Sequence, residues 1–311
     1  MRTIRVFVFM ALVPLFSSCI ILHSTAPRGG SAPPWRETVE IEEAAVPGAH
    51  EQLHAVLWVQ ASVEYDAVCR TAYSRARAAL DAALADPKWT AALEQREANA
   101  LPGKPAVIMD LDETVLDNSP YQAQLVLEGK PFDDPSWKRW VLRGEARGVP
   151  GALDFIRYAE SKGVTVCYVS NRDAETPGDR DSPQERSTRR NLEALGVSLS
   201  AEEDTILLKN ELQDWGSDKG TRRTLVARSY RILLLVGDDL GDFMSGIRTD
   251  PEDRAAKASE HAGLWGRGWI MLPNPMYGSW ERVLTGPETR LTPSEALKRK
   301  TGRLRGMDKP R

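Results

Sequence analysis

Three features of the sequence predict an α/β fold, a doubly wound parallel sheet with a smaller helical region. Four short apolar runs, at residues 106–109, 164–169, 205–208 and 232–236, have strand length and end abruptly in polar residues. Continuous apolar runs suit strands buried on both faces of a parallel sheet. Stretches of helical period separate the runs, and strands alternating with helices imply crossover connections. The 311 residues, 41% hydrophobic and 27% charged, are ample for one large domain with accessory segments, and no internal repeat is present. A net charge of -3 leaves no global basic field, so a nucleic acid polymer is not an expected partner.

Arg2 and Arg5 precede an apolar run at residues 6–16, too short to span a bilayer, which leads to Ser17, Ser18 and Cys19. Residues 1–18 read as a secretory signal peptide. Small residues ahead of a Cys resemble a bacterial lipobox, which makes Cys19 the lipidated first residue of the mature protein, although Phe16 is bulky for that motif. An ordinary signal peptide or an uncleaved anchor is the alternative. Ile20 is not the Asp that commonly retains lipoproteins at the inner membrane, so in a double-membraned bacterium the resemblance implies the outer membrane. Residues 19–49, broken by Pro27, Pro33, Pro34 and Pro47, read as a flexible tether to a folded domain at residues 50–285. Cys69 and Cys167 then remain as thiols; Cys167, inside an apolar run, reads as a small buried hydrophobe, and the sequence does not settle whether the two pair.

Residues 50–84 carry no Pro or Gly and predict one long amphipathic helix. Its start, His50-Glu51-Gln52-Leu53-His54, matches the pattern that places two zinc ligands on one helical face, and alone it would suggest a zinc peptidase. The match follows directly on the tether, with no strand before it to hold a substrate and no third ligand at a familiar spacing, so two solvated histidines are the competing reading. Farther on, Pro150 predicts the first turn of a helix holding Leu153, Ile156 and Ala159, ended by Gly163. A polar loop at residues 173–183 leads to a helix with Leu192 and Leu195 that Gly196 closes. Arg222, Leu225 and Val226 mark another helix. The basic tail, residues 286–311, opens a short helix with a capping box at Thr292 and Glu295 that ends at Gly302, and reads as a solvated surface helix.

Each apolar run delivers a different reactive group at its end. The first gives Asp110 and Asp112, the second Ser170, Asn171 and Arg172, the third Lys209, and the fourth Asp238, Asp239 and Asp242. In open parallel sheets ligands bind outside the carboxyl ends of the strands, so these groups are expected on one rim. A carboxylate nucleophile, a neighbouring acid, a cation for non-bridging oxygens and further carboxylates suit phosphoryl transfer. Hard oxygen ligands favour Mg²⁺ over zinc.

The motifs Asp110-Leu-Asp-Glu-Thr-Val-Leu-Asp-Asn-Ser-Pro-Tyr121, Ser170-Asn-Arg172, Lys219 with Arg222, Gly237-Asp-Asp-Leu-Gly-Asp-Phe243 and Ile270-Met-Leu-Pro-Asn-Pro-Met-Tyr-Gly-Ser-Trp280 resemble the haloacid dehalogenase superfamily. Within it the sequence is similar to the class C bacterial lipoprotein acid phosphatases, also described as lipoprotein 5′-nucleotidases. The similarity includes Trp58, Glu64 and Tyr65 and covers residues 50–281. It implies a Rossmann-like phosphatase domain at residues 50–285, in which Asp110 is the nucleophile that forms an aspartyl-phosphate and Asp112 the general acid and base. Asp238 and Asp242 would hold Mg²⁺ with Asp110 and the main-chain carbonyl of Asp112, and Ser170 and Lys219 would bind the phosphoryl group. Lys209 competes for the lysine role because it directly ends a strand, whereas Lys219 fits the family's Lys-x-x-Arg spacing. Asn171 and Arg172 would orient this loop or the substrate, with a structural salt bridge as the alternative for Arg172.

Trp137 and Tyr277 match aromatic residues that in the resembling nucleotidases sandwich the base of a nucleoside monophosphate; packing of the helical region is the competing reading. Two positions depart from the family pattern. Asp239 stands where the family has Asn, which adds negative charge beside the metal, and Gly241 removes a side chain that is often acidic. The expected protein is a membrane-tethered, Mg²⁺-dependent phosphomonoesterase. The alternatives are the zinc peptidase and a surface lipoprotein that binds a ligand on a non-catalytic scaffold. No oligomeric state is implied.

Overall fold

The structure, a computed structural model, describes residues 50–96, 101–175, 181–200, 202–286 and 291–307. The signal peptide, Cys19 and the tether lie outside the described residues, as do residues 287–290 and 308–311 of the tail. No helix among the described residues is long and apolar enough to cross a membrane.

The predicted helix at residues 50–84 is two helices, α1 (Leu53–Ala61) and α2 (Val63–Ala85). Ser62 makes the break. Its extended backbone lets Oγ accept from Tyr65 N at 3.1 Å, while its hydroxyl donates to Trp58 O at 2.6 Å. A serine that caps one helix and bonds back into the previous one competes with continuous helix. Glu64 and Asp66 in the first turn of α2 add a favourable charge–dipole interaction.

The first strand, β1 (Pro105–Met109), is followed by β2 (Leu116–Asp117), α3 (Ser119–Glu128), α4 (Asp134–Arg143) and β3 (Arg147–Gly148). β2 and β3 pair antiparallel, so α3 and α4 form the smaller helical region, an insertion closed at its base by a two-stranded ribbon. Then come α5 (Ala152–Ser161), β4 (Thr165–Asp173), α6 (Pro183–Ala194), β5 (Ile206–Lys209), α7 (Gly220–Ser229) and β6 (Arg231–Gly237). The chain continues through α8 (Pro251–Glu260), β7 (Trp269–Met271), α9 (Ser279–Thr285) and α10 (Pro293–Gly302). Pro150 lies ahead of α5 rather than within its first turn. Gly151 caps the helix at φ +88°, packed so close to Tyr73 and Arg70 of α2 that a side chain would be both strained and crowded.

The main sheet has the order β5-β4-β1-β6-β7, and every pairing is parallel. Alternate residues face opposite sides, as a strand's twofold period requires. Val107 and Met109 join the core with α2 and α5, whereas Ala106 and Ile108 join the core with α7 and Trp269. Cys69 lies in the first core and Cys167 in the second, and both are free buried thiols. The chain leaves β1 toward β4 and β5 on one side, then returns to place β6 on the other. That reversal makes the carboxyl ends of β1 and β6 the topological switch point, where such folds bind ligands.

Candidate active site

The acidic residues converge at this switch point. Asp110, at the end of β1, donates its main-chain N–H to Val236 O of β6 at 2.9 Å, which fixes the two strand ends against each other. Asp110, Asp238 and Asp242 each offer a carboxylate oxygen within 4.8 Å of the other two. Gly237 permits the approach, because a Cβ there would overlap the Asp242 carboxylate. Lys219 supplies the cation. Its buried ammonium donates to Asp110 Oδ1 and, at 2.6 Å, to Asp242 Oδ1. Lys209 points elsewhere and pairs with Asp173 at 2.9 Å, so the lysine brought to the cluster is Lys219.

Burial dominates the electrostatics. It pushes the Asp110 carboxyl up to about 7, with Lys219 opposing and Asp242 and Asp112 adding to the rise. Asp238 is held well above the ordinary carboxyl range by burial and then by Asp110 and Asp242. Asp242 is raised by burial as well, although Lys219 opposes it. Burial alone would lower Lys219, yet Asp110 and Asp242 more than offset this and hold it above its ordinary value. Three buried acids offering hard oxygen donors, with one ammonium bonded to two of them, fit a divalent cation of the Mg²⁺ type.

A polar shell fixes the cluster. Asp238 accepts from Thr114 Oγ1 at 3.1 Å and Asn274 Nδ2 at 2.9 Å. Asp242 Oδ2 accepts from Asp239 N at 2.9 Å. The Asp239 side chain does not extend the cluster, as its position in the motif suggests, but turns to the start of α9. It accepts there from Ser279 N and Oγ, each at 2.6 Å, and from Gly241 N at 2.8 Å. Gly241 keeps that last contact open, since a Cβ would lie 3.2 Å from Asp239 Oδ1. The negative charge still acts on Asp238 and Asp242 through space.

Asp112 directly precedes a turn in which buried Glu113 adopts φ +60° and accepts from Asn118 N at 2.9 Å. Its carboxylate is gripped by buried Arg172, with Nη2 at 2.8 Å, and by Asn118 Nδ2 at 2.9 Å. Arg172 is therefore an ion-pair partner of the site rather than an open substrate ligand, and its guanidinium carbon also lies 6.0 Å from the Trp137 ring centre. Ser170 is fully buried, with Oγ accepting from Arg172 N at 3.1 Å and lying 3.5 Å from Asp112 Oδ2. Both ends of the Asn171 amide are engaged, with Ser217 O at 3.0 Å and Arg222 Nη2 at 2.7 Å, so Asn171 braces the loop. Arg222 also donates to Ser170 O, and burial lowers its pKa to about 10.

Trp137 is half-buried, edge-on to Tyr121 with centroids 5.2 Å apart and tilted toward Phe132 at 6.4 Å. Tyr277 is half-buried against the first core, in a turn tied to Asp238 because Asn274 Oδ1 accepts from Met276 N and Tyr277 N. His50 precedes α1 instead of lying on it, and its ring meets Gln52 N and Lys130 O, so His50 and His54 do not share a helical face. Sequence reasoning gave no role to Asn118, Thr114, Asn274 or Ser279. Their only signal is membership of the quoted motifs; Asn118 reaches Asp112 six residues back, whereas Thr114, Asn274 and Ser279 act on aspartates distant in the chain.

Fold and site together are of the phosphohydrolase kind, with an aspartate at the end of the central strand at the switch point, a lysine and a carboxylate cluster. The chain belongs to the HAD superfamily, subfamily IIIB, the acid phosphatases, whose family model matches residues 24–280. Among solved structures it is similar to the class C acid phosphatase from Bacillus anthracis, with TM-score 0.70 and 36% identity, covering 84% of this chain and 99% of that one. A second structure of that enzyme, with tungstate bound, is 34% identical with the same TM-score and coverage. Two curated relatives from Glycine max are the Stem 31 kDa glycoprotein, 25% identical over 174 residues, and the Stem 28 kDa glycoprotein, 24% identical over 180 residues. These alignments cover 55% and 56% of this chain, and the chain spans 58% and 60% of those proteins' lengths.

The raised carboxyls set a pH dependence. An acid whose proton is held more tightly when folded costs stability as pH rises, because the unfolded chain ionises first. For Asp110 the loss starts near the ordinary 3.8 and is complete once pH passes about 7. In chelator, the Tm of Asp110→Asn should therefore fall less, or rise more, across this window than that of the wild type. Thermal denaturation at stepped pH measures the difference; parallel profiles would contradict the assignment.

Proposed function

We propose that the protein is a Mg²⁺-dependent acid phosphatase that hydrolyses small phosphomonoesters, foremost nucleoside 5′-monophosphates, as a lipoprotein anchored through Cys19 in the outer membrane. The observation that carries the catalytic reading is Asp110 at the end of the central strand, in contact with Lys219, with Asp112 two residues on. Membership of an acid phosphatase family supports it. The tungstate in one structural neighbour is a tetrahedral oxyanion of phosphate-like shape, which suits the same kind of site here.

In this reading Asp110 attacks phosphorus to give an aspartyl-phosphate, and Asp112 protonates the leaving oxygen and then activates water. Ser170 and Lys219 bind the phosphoryl oxygens. Asp110, Asp238, Asp242 and the main-chain carbonyl of Asp112 would hold Mg²⁺, which would supply charge neutralisation at the phosphoryl group. Trp137 and Tyr277, both partly exposed, stack on the base of a nucleotide. The substrate is a small molecule, and the lipid anchor gives the contact with the membrane.

Asp110→Asn should abolish phosphate release while leaving the fold intact, and Asp112→Asn should slow it about 10²- to 10⁴-fold. Chelation should abolish wild-type activity and Mg²⁺ should restore it; near-normal turnover by Asp110→Asn would sink the mechanism.

Base stacking is worth about 1–3 kcal/mol, or about 5- to 150-fold. The double variant Trp137→Ala with Tyr277→Ala should lose that factor in kcat/KM on 5′-nucleotides relative to a small phosphate ester. Equal losses on both substrates would make the rings structural.

Cys19→Ser should move the protein from the membrane to the soluble fraction. Detergent partitioning and mass spectrometry of the mature N-terminus check this, and an unmodified Cys19 would remove the anchor.

A further inference from the structure

The donors around Asp112 are divided unevenly between its two oxygens. Oδ1 accepts from Asn118 Nδ2 at 2.9 Å, Arg172 Nε at 3.0 Å and Arg172 Nη2 at 2.8 Å. Oδ2 has Arg172 Nε at 3.3 Å and a 3.5 Å approach from Ser170 Oγ. An arginine fork commonly bonds both oxygens of a carboxylate, one to each prong. Here both prongs close on Oδ1, and Asn118 adds a third donor to the same atom.

The gripping groups are themselves fixed from two helices. Arg172 Nη1 donates to Thr188 Oγ1 of α6 at 2.8 Å. Asn118 is fully buried, and its Oδ1 accepts from Trp140 Nε1 of α4 at 2.8 Å. An indole nitrogen only donates, so the Asn118 carbonyl must face Trp140 and its amino group must face Asp112. The amide orientation follows from the bonding.

We propose that Trp140, Asn118, Arg172 and Thr188 are positioning residues that saturate Asp112 Oδ1 and leave Oδ2, beside Ser170, as the oxygen that exchanges the proton with the leaving group. The inference rests on the phosphomonoesterase reading above. In the first half-reaction a carboxylate oxygen of Asp110 bonds to phosphorus as the ester P–O bond breaks. The bonding pair leaves on the ester oxygen, which takes the proton from Oδ2 and departs as an alcohol. Arg172 faces the carboxylate that remains. In the second half Oδ2 takes a proton from water, the water oxygen bonds to phosphorus, and the Asp110–phosphorus bond breaks to release phosphate.

In kcat/KM, which covers only the steps through departure of the leaving group, a misplaced acid harms only esters whose leaving oxygen needs the proton; the later attack of water is common to all esters. An alkoxide needs that proton and 4-nitrophenolate does not, so the ratio of the two substrates reports positioning separately from phosphate binding. Trp140→Phe deletes the indole donor and keeps a ring, Thr188→Val deletes the acceptor of Arg172, and Arg172→Lys keeps the charge without the fork. General acid catalysis contributes about 10²- to 10⁴-fold, and a displaced acid loses part of that. Each variant of the full chain should lose about 10-fold or more in kcat/KM on glycerol phosphate and less than about 3-fold on 4-nitrophenyl phosphate, with the Tm monitored alongside. Equal losses on both esters with a raised KM would place Arg172 on the phosphate and overturn the proposal, as would an unchanged ratio in all three variants. A wild type inactive on both esters would overturn the phosphomonoesterase reading and this inference with it.

Discussion

The ion pair of Lys219 with Asp110 and Asp242 is the constraint on which the site depends. Removing charges from water is costly, and an ion pair offsets this only with good geometry and further hydrogen bonds. One ammonium serves two of the three carboxylates at the switch point, Asp110 and Asp242, while Asp238 accepts from Thr114 and Asn274 and the second Asp242 oxygen accepts from the Asp239 amide. Even so, burial holds all three acids above their ordinary range. The fold thus carries an electrostatic cost at its rim that a bound cation would relieve, consistent with a site selected for chemistry rather than for stability of the chain alone.

Sheet topology produces this concentration. Because β1 lies between β4 and β6, its end faces the ends of strands reached by two opposite crossovers. The sequence made this much legible, since continuous apolar runs ending in Asp110, Ser170 and Asp238 imply buried parallel strands with chemistry at their tips. The choice between Lys209 and Lys219 was not legible from the strand pattern. Lys209 ends the edge strand β5, two positions from β1, and meets Asp173 instead. Lys219 caps the start of α7, and helix packing rather than strand position brings it to Asp110.

What the sequence concealed depends on side chains choosing between partners. Ser62 looks like any polar residue in a helical stretch, yet its hydroxyl ends one helix and starts the next. Asp239 looks like an additional metal-site acid, yet Ser279, 40 residues on, supplies two donors that draw it away. The His50 to His54 spacing suggests a shared helical face, but the helix begins at Leu53. In each case local pattern defines the backbone options and a tertiary hydrogen bond selects one, so no window of sequence contains the answer.

The helical insertion joins the two halves of the site in the same way. Trp137 and Trp140 are three residues apart on α4, a spacing that places them on neighbouring positions of one helical face. Trp140 bonds Asn118, which holds Asp112; Trp137 lies beside Arg172, which bonds the same carboxylate oxygen. A rigid helix cannot move one of these rings without moving the other. Displacement of α4 by a group stacked on Trp137 would therefore be felt at Asp112 through both Asn118 and Arg172. The ribbon of β2 and β3 that closes the insertion limits such displacement, because β2 follows directly on the turn that carries Asp112. In the proposed mechanism, binding of the organic part of a substrate and placement of the acid would thus share one mechanical element, the helix that carries Trp137 and Trp140.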